Sequence, residues 1–123
     1  MDAYVAALLS ALDRGAGEYP LQADTLYFGG GTPSLLGGAR LAALIRRADD
    51  CFGLLSHASE ITLEANPADN LADTLAAFAA AGGNRLSLGM QSIHPSELAV
   101  LGRRHTPVDV ARTIADAHRA GIT

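Results

Sequence analysis

Residues 60–67 read Glu60-Ile61-Thr62-Leu63-Glu64-Ala65-Asn66-Pro67, the clearest strand signal in the sequence. Its alternation of apolar and polar residues predicts a strand over 60–64 that ends at the Asn-Pro turn. Similar strands are predicted over 24–28 and 85–89, and a helical pattern separates each strand from the next. Strands that alternate with single helices pair in parallel through right-handed crossovers, so the pattern predicts an α/β fold.

Apolar residues recur at helical spacing before the first strand and after each strand. The glycines in 13–17 are predicted to end the first helix. The last helix has a clear start, because Thr106 can cap it, Pro107 suits its first position and Asp109 stands where a capping-box acid would stand. The predicted buried faces comprise Val5, Leu8, Leu9 and Leu12; Leu41, Leu44, Ile45, Ala48 and Phe52; Leu71, Leu75, Phe78 and Ala79; and Val110, Ile114 and Ala117.

The two ends of the chain suggest a larger assembly of strands and helices. The sequence starts on a predicted helix with no strand before it, and Ile122-Thr123 resembles the start of another strand. A three-stranded parallel sheet would leave two long unpaired edges, which soluble proteins avoid. We therefore expect residues 1–123 to form one domain, or part of one, within a larger βα fold.

Composition excludes several classes of protein. The only cysteine among the 123 residues, Cys51, rules out a disulfide framework or a cysteine-ligated metal site built from this chain alone, and its position predicts a buried small hydrophobe. The net charge of −4 argues against nucleic-acid binding. No apolar run approaches the roughly 18–20 residues that span a membrane. The N-terminus also lacks the positive region of a signal peptide, so a cytoplasmic location is expected.

Each predicted strand has an apolar side and a polar side, because alternate residues point to opposite faces. In the middle strand, Thr62 and Glu64 share the polar side. Strands of a parallel sheet covered on both faces are nearly all apolar, so polar sides on three successive strands predict a lumen that holds a polar ligand. In a (β/α) barrel, chemistry takes place at the carboxyl ends of the strands. The segments that fall there are 29–32, 64–66 and 91–92.

Two of these segments have alternative interpretations. The glycines of 29–31 let the backbone approach a ligand, such as a phosphate, or simply form a tight turn. The segment matches neither a Walker A loop nor a complete Gly-x-Gly-x-x-Gly motif. Glu64 at a strand end either belongs to a structural ion pair or holds a ligand, because a buried acid needs a partner.

The other polar residues that could bind a ligand also have more than one interpretation when each is considered alone. Gln91 could bond ribose hydroxyls or serve as a turn residue. Arg103 could pair with a ligand carboxylate or compensate a helix dipole from a solvated position. The four histidines lack metal-ligand spacing and are assigned to surfaces or caps; they are His57, His94, His105 and His118.

Four ordered segments together resemble the radical S-adenosylmethionine (SAM) enzymes of the oxygen-independent coproporphyrinogen III oxidase group. The resemblance covers essentially the whole chain and is strongest to the haem-chaperone branch. Met90 and Ile93 stand where that pattern has Val and Phe. The four segments are Tyr27-Phe-Gly-Gly-Gly-Thr-Pro-Ser-Leu-Leu36, Glu60-Ile-Thr-Leu-Glu-Ala-Asn-Pro67, Asn84-Arg-Leu-Ser-Leu-Gly-Met-Gln-Ser92 and Leu101-Gly-Arg-Arg-His105.

The resemblance implies a fragment of a partial (β/α)6 TIM-like barrel, with about three parallel strands and flanking helices, so that residues 1–123 form a partial radical SAM core domain. It also implies a 4Fe-4S cluster whose Cys-x-x-x-Cys-x-x-Cys ligands would lie just before residue 1. In the implied SAM pocket, the methionine amino group meets Gly30, Gly31 and Thr32. Glu64 and Gln91 would bind the ribose or neighbouring groups of SAM, and Arg103 would bind the SAM carboxylate.

The function implied for the complete protein is that of a haem chaperone, which binds haem and transfers it to acceptor proteins. Oxygen-independent decarboxylation of coproporphyrinogen III, a porphyrin substrate, is the alternative within the family. A phosphate-binding βα module without radical chemistry is the alternative of another class. The 123-residue chain alone is expected to lack radical activity and to bind SAM weakly if at all.

Overall fold

The computed structural model describes residues 1–19, 21–57, 60–67 and 70–123, and three parallel strands form its central layer. The strands β1 (Thr25–Phe28), β2 (Glu60–Ala65) and β3 (Arg85–Leu88) pair in the order β1-β2-β3. This confirms the predicted α/β fold with parallel strands. The central strand β2 is almost fully buried, whereas β1 and β3 alternate between exposed and half-buried residues.

Helices precede β1 and follow each strand, as the periodicity predicts. No helix among the described residues is long and apolar enough to cross a membrane. The helices are α1 (Asp2–Glu18), α2 (Gly38–Phe52), α3 (Leu54–His57), α4 (Ala72–Ala80), α5 (Pro95–Val100) and α6 (Pro107–Arg119), with a 3-10 turn at Pro33–Leu36.

The predicted end of the first helix is wrong, because α1 continues through its glycines to Glu18. A glycine in a helix interior costs only about 1 kcal/mol relative to alanine, which tertiary packing readily offsets. Gly15 lies against α2, since a Cβ at this position would stand 3.6 Å from Cζ of Phe52. The helix ends at Glu18, after which the Tyr19 N–H donates to the Gly15 carbonyl.

The core lies between the sheet and the pair α2 and α4. Its largest fully buried side chain is Phe78 of α4, whose ring meets Phe28 of β1 edge-on at a centroid distance of 6.3 Å. The other fully buried apolar side chains of the described residues come from α2, α3, α4, β2, the turn after β2 and the C-terminal segment; they are Leu41, Ile45, Leu54, Ile61, Leu63, Pro67, Leu75 and Ile122.

Two expectations about burial are wrong. Ile114 is 44% exposed, because α6 turns the stripe of Val110, Thr113 and Ala117 inward and Ile114 lies beside that stripe. Cys51 is only half buried, and its thiol lies near the Asp13 carboxylate. Apolar periodicity shows that a helix has a buried side, but the neighbouring element decides which adjacent residue faces it.

The backbone of Ile122-Thr123 runs beside β3, in accord with its predicted role as the start of a strand. The Thr123 N–H donates to the Asn84 carbonyl, and the Leu86 N–H donates to the Thr123 carbonyl. These bonds on alternate residues are the pattern of a parallel ladder. The outer edge of β3 is therefore already partly paired.

The predicted capping box at the start of α6 is confirmed. The Thr106 hydroxyl accepts a hydrogen bond from the Asp109 N–H at 3.3 Å, and the Asp109 carboxylate accepts from the Thr106 N–H at 2.8 Å. The Thr106 hydroxyl also donates to the Asp109 carboxylate at 2.8 Å, and the bonds that this carboxylate accepts from the Thr106 N–H and hydroxyl hold the pKa of Asp109 below its ordinary value. The cap thus satisfies two N–H groups that the helix itself leaves unpaired.

Thr106→Ala is expected to lower the free energy of unfolding by about 1 kcal/mol, because it removes the N-cap acceptor. Asp109 contributes stability above its unfolded pKa of about 3.9, and that stability is lost as the pH falls through the lowered folded pKa. Urea unfolding at neutral and acidic pH measures both effects. Ser96→Ala, an exposed change in the first turn of α5, is the control and should stay within about 0.5 kcal/mol. Equal effects of the two variants would contradict the role of the cap.

Candidate functional site

The loops that follow the three strands meet around one polar cavity of about 450 Å³. Five of the six predicted site residues line it, from all three strand ends and from the loop before α6. The five residues are Gly31, Thr32, Glu64, Gln91 and Arg103. Ser87, Gly89 and Asn66 complete the polar part of the wall. The strand-end pattern therefore gathers residues that are far apart in sequence.

Gly30, the sixth predicted residue, does not line this cavity but lines a neighbouring apolar one. Its N–H donates to Oε2 of Glu64 at 3.1 Å. Gly30 and Gly31 have φ angles of +83° and +64°, in the left-handed region that glycine adopts without steric cost. The glycine loop can therefore turn back over the end of β2, where Glu64 lies.

Glu64 is held by two donors from the β1 side. Its Oε1 accepts a hydrogen bond of 2.6 Å from the Tyr27 hydroxyl, and its Oε2 accepts the bond from Gly30. The Glu64 carboxylate raises the pKa of Tyr27, because it accepts a hydrogen bond from the phenol and its negative charge disfavours the phenolate. Within the described part of the chain, Glu64 forms no ion pair. These contacts are those of an oriented polar group rather than of a structural ion pair.

The first two strand-end loops are joined by Asn66, whose Nδ2 donates to Oγ1 of Thr32 at 3.1 Å. The third loop packs closely on the second, because a Cβ at Gly89 would lie 3.1 Å from Oδ1 of Asn66 and 3.4 Å from Nε2 of Gln91. A side chain at Gly89 would therefore require the Asn66 or Gln91 side chain to shift by a few tenths of an ångström. The cavity wall is thus held together by contacts between all three loops.

Gln91 has a φ of +64° and is the only described non-glycine residue in the left-handed region. Such a conformation costs about 1–2 kcal/mol for a residue with a side chain. Strained positions of this kind cluster at ligand-binding sites, where the surrounding structure holds them in place. The strain therefore supports the functional interpretation of Gln91 over that of an ordinary turn residue.

His105 corrects the assignment of all histidines to surfaces or caps. It is only 4% exposed, and its Nε2 lies 2.8 Å from the Met90 carbonyl oxygen. Since a carbonyl oxygen only accepts, Nε2 carries the proton in this contact. The bond ties the segment that carries Gln91 to the segment that carries Arg103. Sequence reasoning missed it because residues 101–106 have no periodicity that would show which side faces inward.

Arg103 supplies a cation on the cavity wall, and its side chain is exposed. It forms no ion pair with any residue in the described ranges. With Glu64 it gives the cavity one group of each charge, and the adjacent Arg104 does not line the cavity. The arrangement suits a ligand that has both a carboxylate and hydroxyl or cationic groups.

No group of three or more His, Cys, Asp or Glu side chains in the described residues could hold a metal ion. Cys51 lies on α2 and does not line the polar cavity.

Comparison with known proteins places this arrangement in a family. The sequence model of the Radical SAM superfamily matches residues 8–123. The chain belongs to the radical SAM superfamily. The resemblance derived from the four sequence segments is thereby confirmed, and the three strand-end loops of this radical SAM chain all lie within the matched residues.

The individual relatives agree with this assignment. This radical SAM chain is 42% identical over 123 residues to the Heme chaperone HemW of Mycobacterium tuberculosis (strain ATCC 25618 / H37Rv), covering 99% of the chain and 31% of that protein. It is 46% identical over 96 residues to the mitochondrial Radical S-adenosyl methionine domain-containing protein 1 of Bos taurus, covering 78% of the chain and 22% of that protein. The chain thus spans about a third or less of the length of these relatives.

A solved structure has the same fold. The coproporphyrinogen III oxidase HemN of Escherichia coli, described as a radical SAM enzyme, superposes with a TM-score of 0.87 at 28% identity. The match covers 99% of this radical SAM chain and 28% of HemN. The predicted relation to a radical SAM TIM-like barrel is thereby confirmed.

Proposed function

We propose that residues 1–123 form part of a radical SAM core domain and that the polar cavity at the strand ends binds SAM. One observation carries this proposal: five of the six residues predicted for the SAM pocket line a single cavity, and the sixth, Gly30, bonds to Glu64. These residues come from four separate segments of the sequence. The superfamily match over the same segments supports the same ligand.

The chemistry of the cavity fits the groups of SAM. The exposed guanidinium of Arg103 suits the methionine carboxylate, which it would bind in a bidentate manner. The glycine loop and the Thr32 hydroxyl suit the amino group, and Glu64 and Gln91 suit the ribose hydroxyls. A 4Fe-4S cluster, when bound, supplies the electron that cleaves SAM, and we propose that its ligands lie outside residues 1–123. In this proposal, the residues of this chain bind and orient SAM.

For the complete protein we propose the function of a haem chaperone, which binds haem and passes it to acceptor proteins. The identity of 42% to HemW along 99% of the chain supports this proposal. Coproporphyrinogen III oxidation is the second candidate, because the HemN structure matches the fold closely. Titration of the full-length protein with haem, set against assay of propionate loss from coproporphyrinogen III, separates the two. Haem binding without propionate loss is expected, and the reverse result would overturn the proposal in favour of the oxidase.

A phosphate-binding module fits the cavity less well. The Gly30 N–H, which a phosphate-binding loop would aim at its ligand, donates to the Glu64 carboxylate. A second anion beside that carboxylate would be repelled. This contact counts against the phosphate alternative.

Arg103→Ala in the full-length protein is expected to weaken SAM binding about tenfold or more. A charge-assisted hydrogen bond is worth about 1.5–3 kcal/mol, and 1.4 kcal/mol is a factor of ten in affinity. Equilibrium dialysis with SAM measures the change. Arg104→Ala is the matched control, because this neighbouring arginine is also exposed but lies outside the cavity wall. Equal affinities of the two variants would remove Arg103 from the proposed site.

A further inference from the structure

Tyr27 is a polar-face residue that the sequence motifs did not single out as part of the site. Its ring is 55% exposed, yet its hydroxyl is fixed 2.6 Å from Oε1 of Glu64. Tyr27 pairs in register with Thr62, so Glu64 is its diagonal neighbour two residues along β2 on the same face. A diagonal neighbour in a sheet is within reach of a long aromatic side chain.

The backbone leaves room for this contact. A Cβ at Gly29 would lie 2.6 Å from Cε1 of Tyr27 and 3.4 Å from Oε2 of Glu64. A side chain at position 29 would therefore collide with the tyrosine ring in its present position. The next residue, Gly30, bonds the second carboxylate oxygen. Tyr27 and Gly30 thus both donate to the Glu64 carboxylate, and the absence of a side chain at Gly29 leaves room for the tyrosine ring.

The two donors leave Glu64 with a defined capacity to bind a ligand. An ionised carboxylate has about four acceptor positions, two on each oxygen. Tyr27 occupies one on Oε1, and Gly30 occupies one on Oε2. One position on each oxygen remains, which is the arrangement that two neighbouring hydroxyls of a vicinal diol require.

We propose that Tyr27 is a positioning residue: it orients the Glu64 carboxylate so that this group accepts a hydrogen bond from each of the two hydroxyls of a ribose diol. This inference rests on the proposed SAM site and adds a residue outside its predicted set. Because the tyrosine is half in solvent, removal of its hydroxyl leaves neither a core cavity nor a buried polar atom without a partner. Its effect is therefore expected on ligand binding and not on folding.

A double-mutant cycle on SAM binding to the full-length protein tests the proposal. Tyr27→Phe should weaken binding about threefold to tenfold, the net effect of one hydrogen bond. Glu64→Gln should also weaken it, and Tyr27→Phe should cause no further loss in the Glu64→Gln background, because the two residues act as a unit. Tyr19→Phe is the control, since Tyr19 is 60% exposed and lies at the end of α1, away from the cavity.

A second readout reports the contact without ligand. The difference between the near-ultraviolet titrations of the parent protein and Tyr27→Phe isolates the ionisation of Tyr27. The Glu64 carboxylate raises the pKa of this phenol, so its ionisation should move to lower pH in the Glu64→Gln variant. The pKa of a surface tyrosine that does not contact Glu64 would not change in this variant.

The outcomes separate this inference from the proposed function. If Glu64→Gln weakens SAM binding while Tyr27→Phe leaves it unchanged, the role of Tyr27 is overturned and the SAM site stands. Additive losses from the two variants would also overturn it, because a positioning residue acts only through its partner. If Glu64→Gln itself has no effect, the proposed role of Glu64 fails and the inference fails with it.

Discussion

Phe78→Ala is expected to lower the free energy of unfolding by about 3–5 kcal/mol. The Phe78 side chain is completely buried and meets the Phe28 ring edge-on, so the substitution removes a large apolar surface and an aromatic pair together. The backbone at Gly83 already packs against the ring, and a Cβ there would lie 2.2 Å from Cε1 of Phe78.

Urea unfolding of the 123-residue chain, followed by circular dichroism, measures this loss. Val100→Ala is the control, because Val100 is 88% exposed and a surface truncation of this kind stays within about 0.5 kcal/mol. A loss for Phe78→Ala as small as that of the control would show that Phe78 is not at the centre of the core.

Gly38→Ala is expected to lower the free energy of unfolding by about 1–3 kcal/mol, because it overpacks the contact between α2 and α4. A Cβ at Gly38 would stand 2.5 Å from Cβ of Ala77 and 3.4 Å from Cα of Thr74. Neither a methyl group nor a backbone atom can rotate away. The two helices would have to separate, and both contribute to the core.

The same substitution at a second helical glycine supplies the control. A Cβ at Gly17 of α1 meets nothing within 4 Å, so Gly17→Ala should stabilise the chain by up to about 1 kcal/mol through helix propensity. Ala77→Gly in the Gly38→Ala background should recover part of the loss, because it removes the opposing methyl group. Equal signs for Gly17→Ala and Gly38→Ala would contradict the close approach of α2 and α4.

The elements that the sequence predicts well are those encoded by nearby residues. The period-two pattern of 60–64 predicts β2, and the spacing of Thr106 and Asp109 predicts a capping box that the structure confirms. By contrast, Gly15 of α1 lies against Phe52 of α2, and a Cβ at Gly15 would stand 3.6 Å from Cζ of Phe52. Local propensity cannot contain a contact that forms only after the chain has folded.

The site follows the same division. Strand-end positions indicated Glu64 and Gln91 as candidates, and Arg103 was a candidate in a loop beyond a helix end. The structure gathers all three around one cavity. The hydrogen bond between Tyr27 and Glu64 joins residues 37 positions apart, and it depends on the register of β1 against β2. Alternation within a strand reveals which face a residue occupies but not which partner lies beside it.

The strand order β1-β2-β3 has a consequence for how the protein folds while the ribosome synthesises it. The strand β2 pairs with β1, and β3 pairs with β2, so the partner of each new strand has already been synthesised. At about 5–20 residues per second, the stretch between successive strands emerges within a few seconds, whereas helices and hairpins form in microseconds. The sheet is therefore expected to grow one strand at a time during translation, with its newest edge always next to the tunnel exit.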